Sequence, residues 1–111
     1  MNDLVQRLSE GDHPVVVGGP KPSLEEFHTR VEEMGYVFIK FTDTQGGTDL
    51  GVRVDKAAVD TAKADFEQGV GTVHVEGTLT LNYVKVRCVA DIDLAELKGT
   101  GHLVIVEEVH P

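Results

Sequence analysis

The side chains able to do chemistry in this chain are five histidines, several clustered carboxylates and a single cysteine. His13, His28, His74, His102 and His110 form no i, i+4 pair, and no His-Glu-x-x-His is present to hold a zinc-bound water. His74 and His102 each close a Gly-Thr-x-His step, in Gly71-Thr72-Val73-His74 and Gly99-Thr100-Gly101-His102. If the two strands are neighbours, the rings approach each other, and Asp91 or Glu76 joins them in a metal site or an acid–base pair. Asp91, His74 and His102 are therefore the catalytic candidates of an enzyme reading.

The most concentrated polar stretch is Asp43-Thr44-Gln45-Gly46-Gly47-Thr48-Asp49. Asp43, Thr44, Gln45, Thr48 and Asp49 are candidate ligand or partner contacts, with two carboxylates beside mobile glycine amides. The same composition also makes a hairpin connection, because glycine supplies positive φ and Asp and Thr close local turns. Calcium is not expected, since the alternating acid array and the closing glutamate of a calcium loop are missing. Lys85 and Arg87 share one strand face and are further partner candidates, although two cations are too few for a nucleic-acid site. Cys88 falls on the apolar phase of the same strand, opposite Arg87, and reads as a buried structural thiol. Asp91, Asp93 and Glu96 cluster beyond it, with Asp93 placed to cap the turn Leu94–Leu97. Gly18-Gly19-Pro20-Lys21-Pro22-Ser23 lacks both phosphate-loop spacings and reads as a connector. No metal and no cofactor is expected.

These groups need elements to position them. Asn2 to Glu10 predicts a short helix, with Asn2 or Asp3 as cap and Gly11 as stop. Asp12-His13-Pro14 predicts a turn. Val15–Val17 predicts a strand, apolar on both sides and so inside a sheet. Ser23 and Glu26 make a capping box, Leu24, Phe27, Val31 and Met34 a helical stripe, and Gly35 a terminator. Tyr36–Thr42 and Leu50–Val54 are the arms of a hairpin around the polar loop. Its first arm carries three of the six Phe and Tyr residues and is a core seed. From Asp55 to about Gln68 the stripe Val59, Ala62, Phe66 predicts a second helix, closed by Gly69 and Gly71.

The last third alternates as β. The apolar phase changes parity at Asn82-Tyr83, which predicts a tight turn there in preference to a bulge. Asp93–Gly101 is expected as a helical turn or loop, Leu103–Val106 as a central strand, and 107–111 as a polar tail.

Leaving aside the first helix, the order is β-α-β-β-α-β followed by two more strands. It predicts an α+β, two-layer sandwich of ferredoxin-like element order, with a mostly antiparallel sheet and helices on one face. The 111 residues are expected as one domain, 1–111, with helix 1–11 at its start.

Composition narrows the function. The formal charge is −9, which repels phosphate backbones and anionic membranes, so neither nucleic acid nor a membrane is expected as partner. One cysteine allows no internal disulfide, and no signal peptide or membrane span is read, which points to the cytoplasm. The reading is a small acidic, non-catalytic binding or regulatory module. It acts through a protein partner or a small ligand, or as a homo-oligomer paired through the sheet face. The alternative is a small α+β enzyme using Asp/His acid–base chemistry between sheet and helices.

Overall fold

The computed structural model describes residues 3–108. The elements are α1 (Asp3–Leu8), β1 (His13–Val17), α2 (Leu24–Thr29), β2 (Tyr36–Phe41), β3 (Thr48–Val54), the short β4 (Ala64–Asp65), β5 (Val70–Leu81), β6 (Val84–Asp93) and β7 (Lys98–Glu108). Asn2, one of the two expected caps, His110, and the end of the expected tail at 109–111 lie outside the described residues.

The sheet runs β3-β2-β1-β7-β6-β5-β4, with every neighbouring pair antiparallel. It then closes on itself, because Arg53 and Val54 of β3 pair with Thr78 and Gly77 of β5. The result is a six-stranded antiparallel barrel built from β1, β2, β3, β5, β6 and β7. This overturns the expected ferredoxin-like α+β sandwich with helices on one face. The inner face of a closed sheet is its own core, so no open face is left for a helical layer to cover.

That core is the inward phase of the barrel strands: Val15, Val17, Val37, Ile39, Phe41, Leu50, Val52, Val73, Val75, Val86, Cys88, Ala90, Ile92 and Leu103, joined by Val5 and Leu8 of α1, Phe27 of α2 and Val31 of the helical turn that follows it. Gly77 makes the closure possible. A Cβ there would stand 2.2 Å from the Arg53 carbonyl oxygen and 2.6 Å from a Val52 methyl. Gly71 and Gly99, the first residues of the two Gly-Thr-x-His steps, also permit close backbone approach: a Cβ on either would sit 2.0 Å from Lys63 O or 1.8 Å from Asp91 O.

Several local expectations hold. Ser23 Oγ accepts from Glu26 N–H, and Gly35 ends the helical segment with φ 68°. The segment's last turn, Arg30–Met34, widens to π-type, with Gly35 N–H donating to Arg30 O. Met34, read as part of the buried stripe, is 58% exposed. β1 lies between β2 and β7, inside the sheet as expected. The turn at Asn82-Tyr83 is tight, with φ 50° and 66°, the positive pair of a two-residue hairpin.

Others change. The expected turn at His13-Pro14 is the start of β1. The expected loop Asp93–Gly101 is a short turn followed directly by β7, which begins at Lys98. The expected second helix is absent. Asp55, Asp60 and Asp65 each accept a hydrogen bond from a main-chain N–H two or three residues on, at Ala57, Ala62 and Gln68. Each closes a local turn that competes with helix, and only one 3₁₀ turn, Lys56–Ala58, forms. The stripe's Phe66 packs instead on α2, stacked on His28 with ring centroids 3.9 Å apart and tilted on Phe27 at 6.5 Å. Among the described residues no helix is long and apolar enough to cross a membrane.

Candidate functional site

Two outward-facing regions of the barrel wall concentrate the chemistry. The first lies on β5 and β6, where strand alternation puts His74, Glu76, Arg87 and Asp91 outside. The register sets His74 opposite Asp91 and Glu76 two pairs further along, on the same outer face. His74 Nδ1 is 2.8 Å from Asp91 Oδ1 and its Nε2 is 2.7 Å from Glu76 Oε2. Arg87 Nε donates to Glu76 Oε1 and its Nη2 to Asp55 Oδ2, both at 2.8 Å. The chain Asp91–His74–Glu76–Arg87–Asp55 therefore alternates in charge and crosses the barrel closure, since Asp55 directly follows β3.

The electrostatics follow from this geometry. Carboxylates only accept, so both ring nitrogens of His74 donate and the ring is an imidazolium. Its pKa is raised, first by the hydrogen bond it donates to Glu76 and then, against the cost of burial, by the one it donates to Asp91. Glu76 is held below the usual glutamate value by His74 and Arg87, and Asp55 below the usual aspartate value by Arg87. An imidazolium with both N–H groups committed has no lone pair with which to take a proton.

Beside this network is a half-open hollow of about 420 Å³ lined by Asp60, Lys63, Thr72, His74 and Asp91. Its rim is the segment that was expected to be helical. Asp60 and His74 exchange main-chain hydrogen bonds at 3.0 Å, and Thr72 N–H donates to Lys63 O. Of the catalytic candidates, the structure brings His74 and Asp91 together and leaves His102 apart. His102 lies on β7 opposite Val89, and its Nδ1 is 3.3 Å from Asp12 Oδ1.

The polar loop is knitted into the fold. Asp43 Oδ2 is 2.7 Å from Nδ1 of the buried His13, whose Nε2 donates to Glu10 O at 2.9 Å, while Arg7 donates to Asp43 O at 2.8 Å. His13 is thus a second imidazolium, its pKa raised chiefly by the Asp43 hydrogen bond. Thr44 and Thr48 hydroxyls bond at 2.7 Å across the loop. Asp49 Oδ2 accepts from Gly19 N–H at 3.1 Å and fills the space a Gly18 side chain would take. Gln45 stands exposed at the loop tip.

Lys85 is exposed, whereas Arg87 is spent on two carboxylates. Cys88 is buried, and burial pushes its thiol up to about 12. Asp93 caps its turn by accepting from Ala95 N–H, as expected. Among the described residues, no group of His, Cys, Asp and Glu is arranged to hold a metal ion.

The second region is on β2 and β3 and was missed by sequence reasoning. The ring of Phe38 lies at the centre, edge-on to Tyr36 at 5.4 Å and under the Arg30 guanidinium at 4.9 Å. Glu26 orients Arg30 at 2.9 Å. Tyr36, 41% exposed, lays its hydroxyl over Gly51, where a Cβ would fall 1.9 Å from it. Met34 and Arg30 line an adjoining hollow of about 380 Å³ with Ser23, Glu25, Glu26 and Thr29. The available signal was parity: Tyr36 and Phe38 share the outward phase of a strand whose inward phase is Val37, Ile39 and Phe41.

Residues 23–110 match the model of the family described as core binding factor beta subunit. The match covers both regions of the barrel wall. A comparison with curated proteins finds no match.

Proposed function

Because the chain belongs to the core binding factor beta subunit family, a family of partner-binding regulatory subunits, we propose that it holds a protein partner through the outer wall formed by α2, β2 and β3. The observation that carries this reading is an outward-facing cluster in which exposed Met34 and Tyr36 flank half-buried Phe38 and Arg30. Aromatic residues, Met and Arg are the types enriched where protein interfaces bind tightly, because they bury large areas at small entropic cost. The loop residues Asp43, Thr44, Gln45, Thr48 and Asp49 continue this surface toward the start of β3, and Gln45 is free to contact a partner directly. On the far wall, the exposed Lys85 supplies a cation for a second contact, with Arg87 held by Asp55 and Glu76 beside it.

The test is co-purification of the full chain from cells that express it. The expected result is one protein that stays with the chain through gel filtration and is lost from the Met34→Ala, Tyr36→Ala double variant. If the native chain elutes alone, or if the double variant keeps its companion, this reading falls.

A further inference from the structure

We propose that His13 is a proton-operated latch on the turn Glu10–Asp12. Charged, it clasps that turn to the polar loop; on losing its proton, it lets the turn swing about Gly11. This goes beyond the partner reading above and stands independently of it.

The His13 ring sits at the first residue of β1, 9% exposed, with the Phe41 ring of β2 edge-on at 6.3 Å. Its two nitrogens reach different segments. Nδ1 is 2.7 Å from Asp43 Oδ2 in the polar loop, and Nε2 is 2.9 Å from Glu10 O, just past the end of α1. A carboxylate and a main-chain carbonyl both only accept, so this bridge needs an N–H on each nitrogen, and only the imidazolium has two. A neutral ring has one N–H and one lone pair. Whichever nitrogen keeps the proton, the other then turns its lone pair on an oxygen, and a hydrogen bond becomes a repulsion. The carboxylate is the stronger acceptor and keeps Nδ1–H. The contact that opens is therefore Nε2 to Glu10 O, at the turn.

The turn has the freedom to respond. Gly11 has φ 72°, and a Cβ there would meet nothing within 4 Å, so it has both the backbone latitude and the space of a hinge. Glu10, Gly11 and Asp12 are all exposed. α1 itself stays in place. Val5 and Leu8 are fully buried in the core, and Arg7 Nη2 donates to Asp43 O at 2.8 Å, a bond that needs nothing from His13. The Ser9 and Glu10 N–H groups are bonded to carbonyls of α1, so the swing begins at the Glu10 carbonyl. Gly11 and Asp12, with Ser9 and His102, line a hollow of about 280 Å³, and the motion widens it.

The charged groups around the ring set its response to pH. Among the described residues, Asp43 supplies the one carboxylate on His13, and its hydrogen bond holds the ring above the ordinary histidine value against the cost of burial. Arg7 of α1 is held on the Asp43 carbonyl and not on its carboxylate. The Glu10 carboxylate is turned back to Gln6 Nε2 at 3.5 Å, and that of Asp12 to His102 Nδ1 of β7 at 3.3 Å. β2 presents only the Phe41 ring. The latch is thus closed while His13 is protonated and opens as pH rises through its folded-state pKa. His102 is a second histidine on the same turn, so the test must separate the two.

The experiment is a ¹⁵N NMR titration of the full chain from about pH 5.5 to 9.5, the range around an ordinary histidine. The expected result is loss of one proton from His13 at Nε2, with the Glu10, Gly11 and Asp12 amides shifting at the same midpoint. The Gly11 order parameter should fall above that midpoint, while those of Val73 and Val86 in the barrel stay fixed. Asp43→Asn removes the carboxylate and should move the midpoint to lower pH. His13→Gln has no such proton to lose, and its Gly11 order parameter should not change with pH. Should His13→Gln fail to fold, Asp43→Asn keeps the ring and carries the test. In His102→Gln the step should persist. Amide shifts without loss of order at Gly11 report only a nearby charge and overturn the latch. So does a midpoint that Asp43→Asn leaves unmoved, or a step that vanishes in His102→Gln. No partner takes part in these readouts, so a chain that elutes alone overturns the partner reading and spares the latch, and a rigid Gly11 does the reverse.

Discussion

Arg87 Nη2 lies 2.8 Å from Asp55 Oδ2, and that ion pair ties β6 to the end of β3 across the line where the barrel closes. Among the described residues, only the pairs Arg53–Thr78 and Val54–Gly77 and the Asp55 N–H to Glu76 O bond join the backbones along that line, so side chains share the task of holding it. Arg87→Met keeps the aliphatic stem and removes the fork that serves both Asp55 and Glu76. Its Tm should fall by a few degrees, and its amide exchange should rise selectively at Arg53, Val54, Gly77 and Thr78. Unchanged protection at those four amides would show that the backbone pairing alone holds the closure.

The pH dependence of stability has two arms. His13 and His74 are raised above the ordinary histidine value of 6.5, so their contribution is complete below that value and is lost as pH rises through their folded-state pKa. Asp55 and Glu76 are lowered, so theirs is present above their unfolded values and is lost as pH falls through the folded ones. Urea midpoints should therefore fall as pH rises above about 6.5, and again on acidification below about pH 4. The alkaline fall should shrink in a His13→Phe, His74→Phe double variant.

Asp43 and Gln45 sit two residues apart in one loop and should behave oppositely. Asp43→Asn removes the carboxylate that charges His13 and should lower the Tm at neutral pH and flatten its alkaline slope. Gln45→Ala should leave both unchanged, since Gln45 is exposed at the tip. Differential scanning fluorimetry across pH measures the contrast.

Tyr83 occupies φ 66° with a side chain 65% exposed. A non-glycine residue in that region costs about 1–2 kcal/mol. Tyr83→Gly converts the turn to Asn-Gly, the preferred pair for a two-residue hairpin, and should stabilise the fold by about 1 kcal/mol in urea unfolding. A loss of stability would mean that the Tyr83 ring has packing worth more than the strain.

Cys88 is buried in the barrel with its thiol at about 12, so it should not react with iodoacetamide in the native protein. Alkylation followed by mass spectrometry should show modification only in denaturant, at the rate of global unfolding.

Much of the local structure was legible because its causes are local. The capping box at Ser23 and Glu26, the left-handed Gly35 and the positive-φ turn at Asn82-Tyr83 all depend on residues within one turn of each other. The inward phases of β2, β3, β5 and β6 were readable for the same reason, since alternation is a property of a single strand. The false helix shows where local reading stops. Val59, Ala62 and Phe66 have helical spacing, but Asp55, Asp60 and Asp65 close rival turns, and Phe66 finds its partner on α2. The candidate sites divided in the same way. Asp91 and Glu76 were both named beside His74 from the sequence, and the structure sets both against its ring while leaving His102 apart, whereas Asp55 and the Tyr36–Phe38–Arg30 cluster emerge only when strands and helix are set side by side.

The amino-acid order alone determined which residues turn inward on each strand, where most turns fall and how acidic the surface is. Those follow from backbone sterics, side-chain phase and charge count. Only the tertiary structure decided that the sheet closes into a barrel. Closure depends on Gly77 admitting the β3 backbone, a contact between residues more than twenty positions apart in the chain. It also decided that Asp91, His74, Glu76, Arg87 and Asp55 join in one ion chain on the outer wall. Pairing at such distance leaves no periodic mark in a sequence, because its free energy comes from strands meeting and not from any one strand's composition.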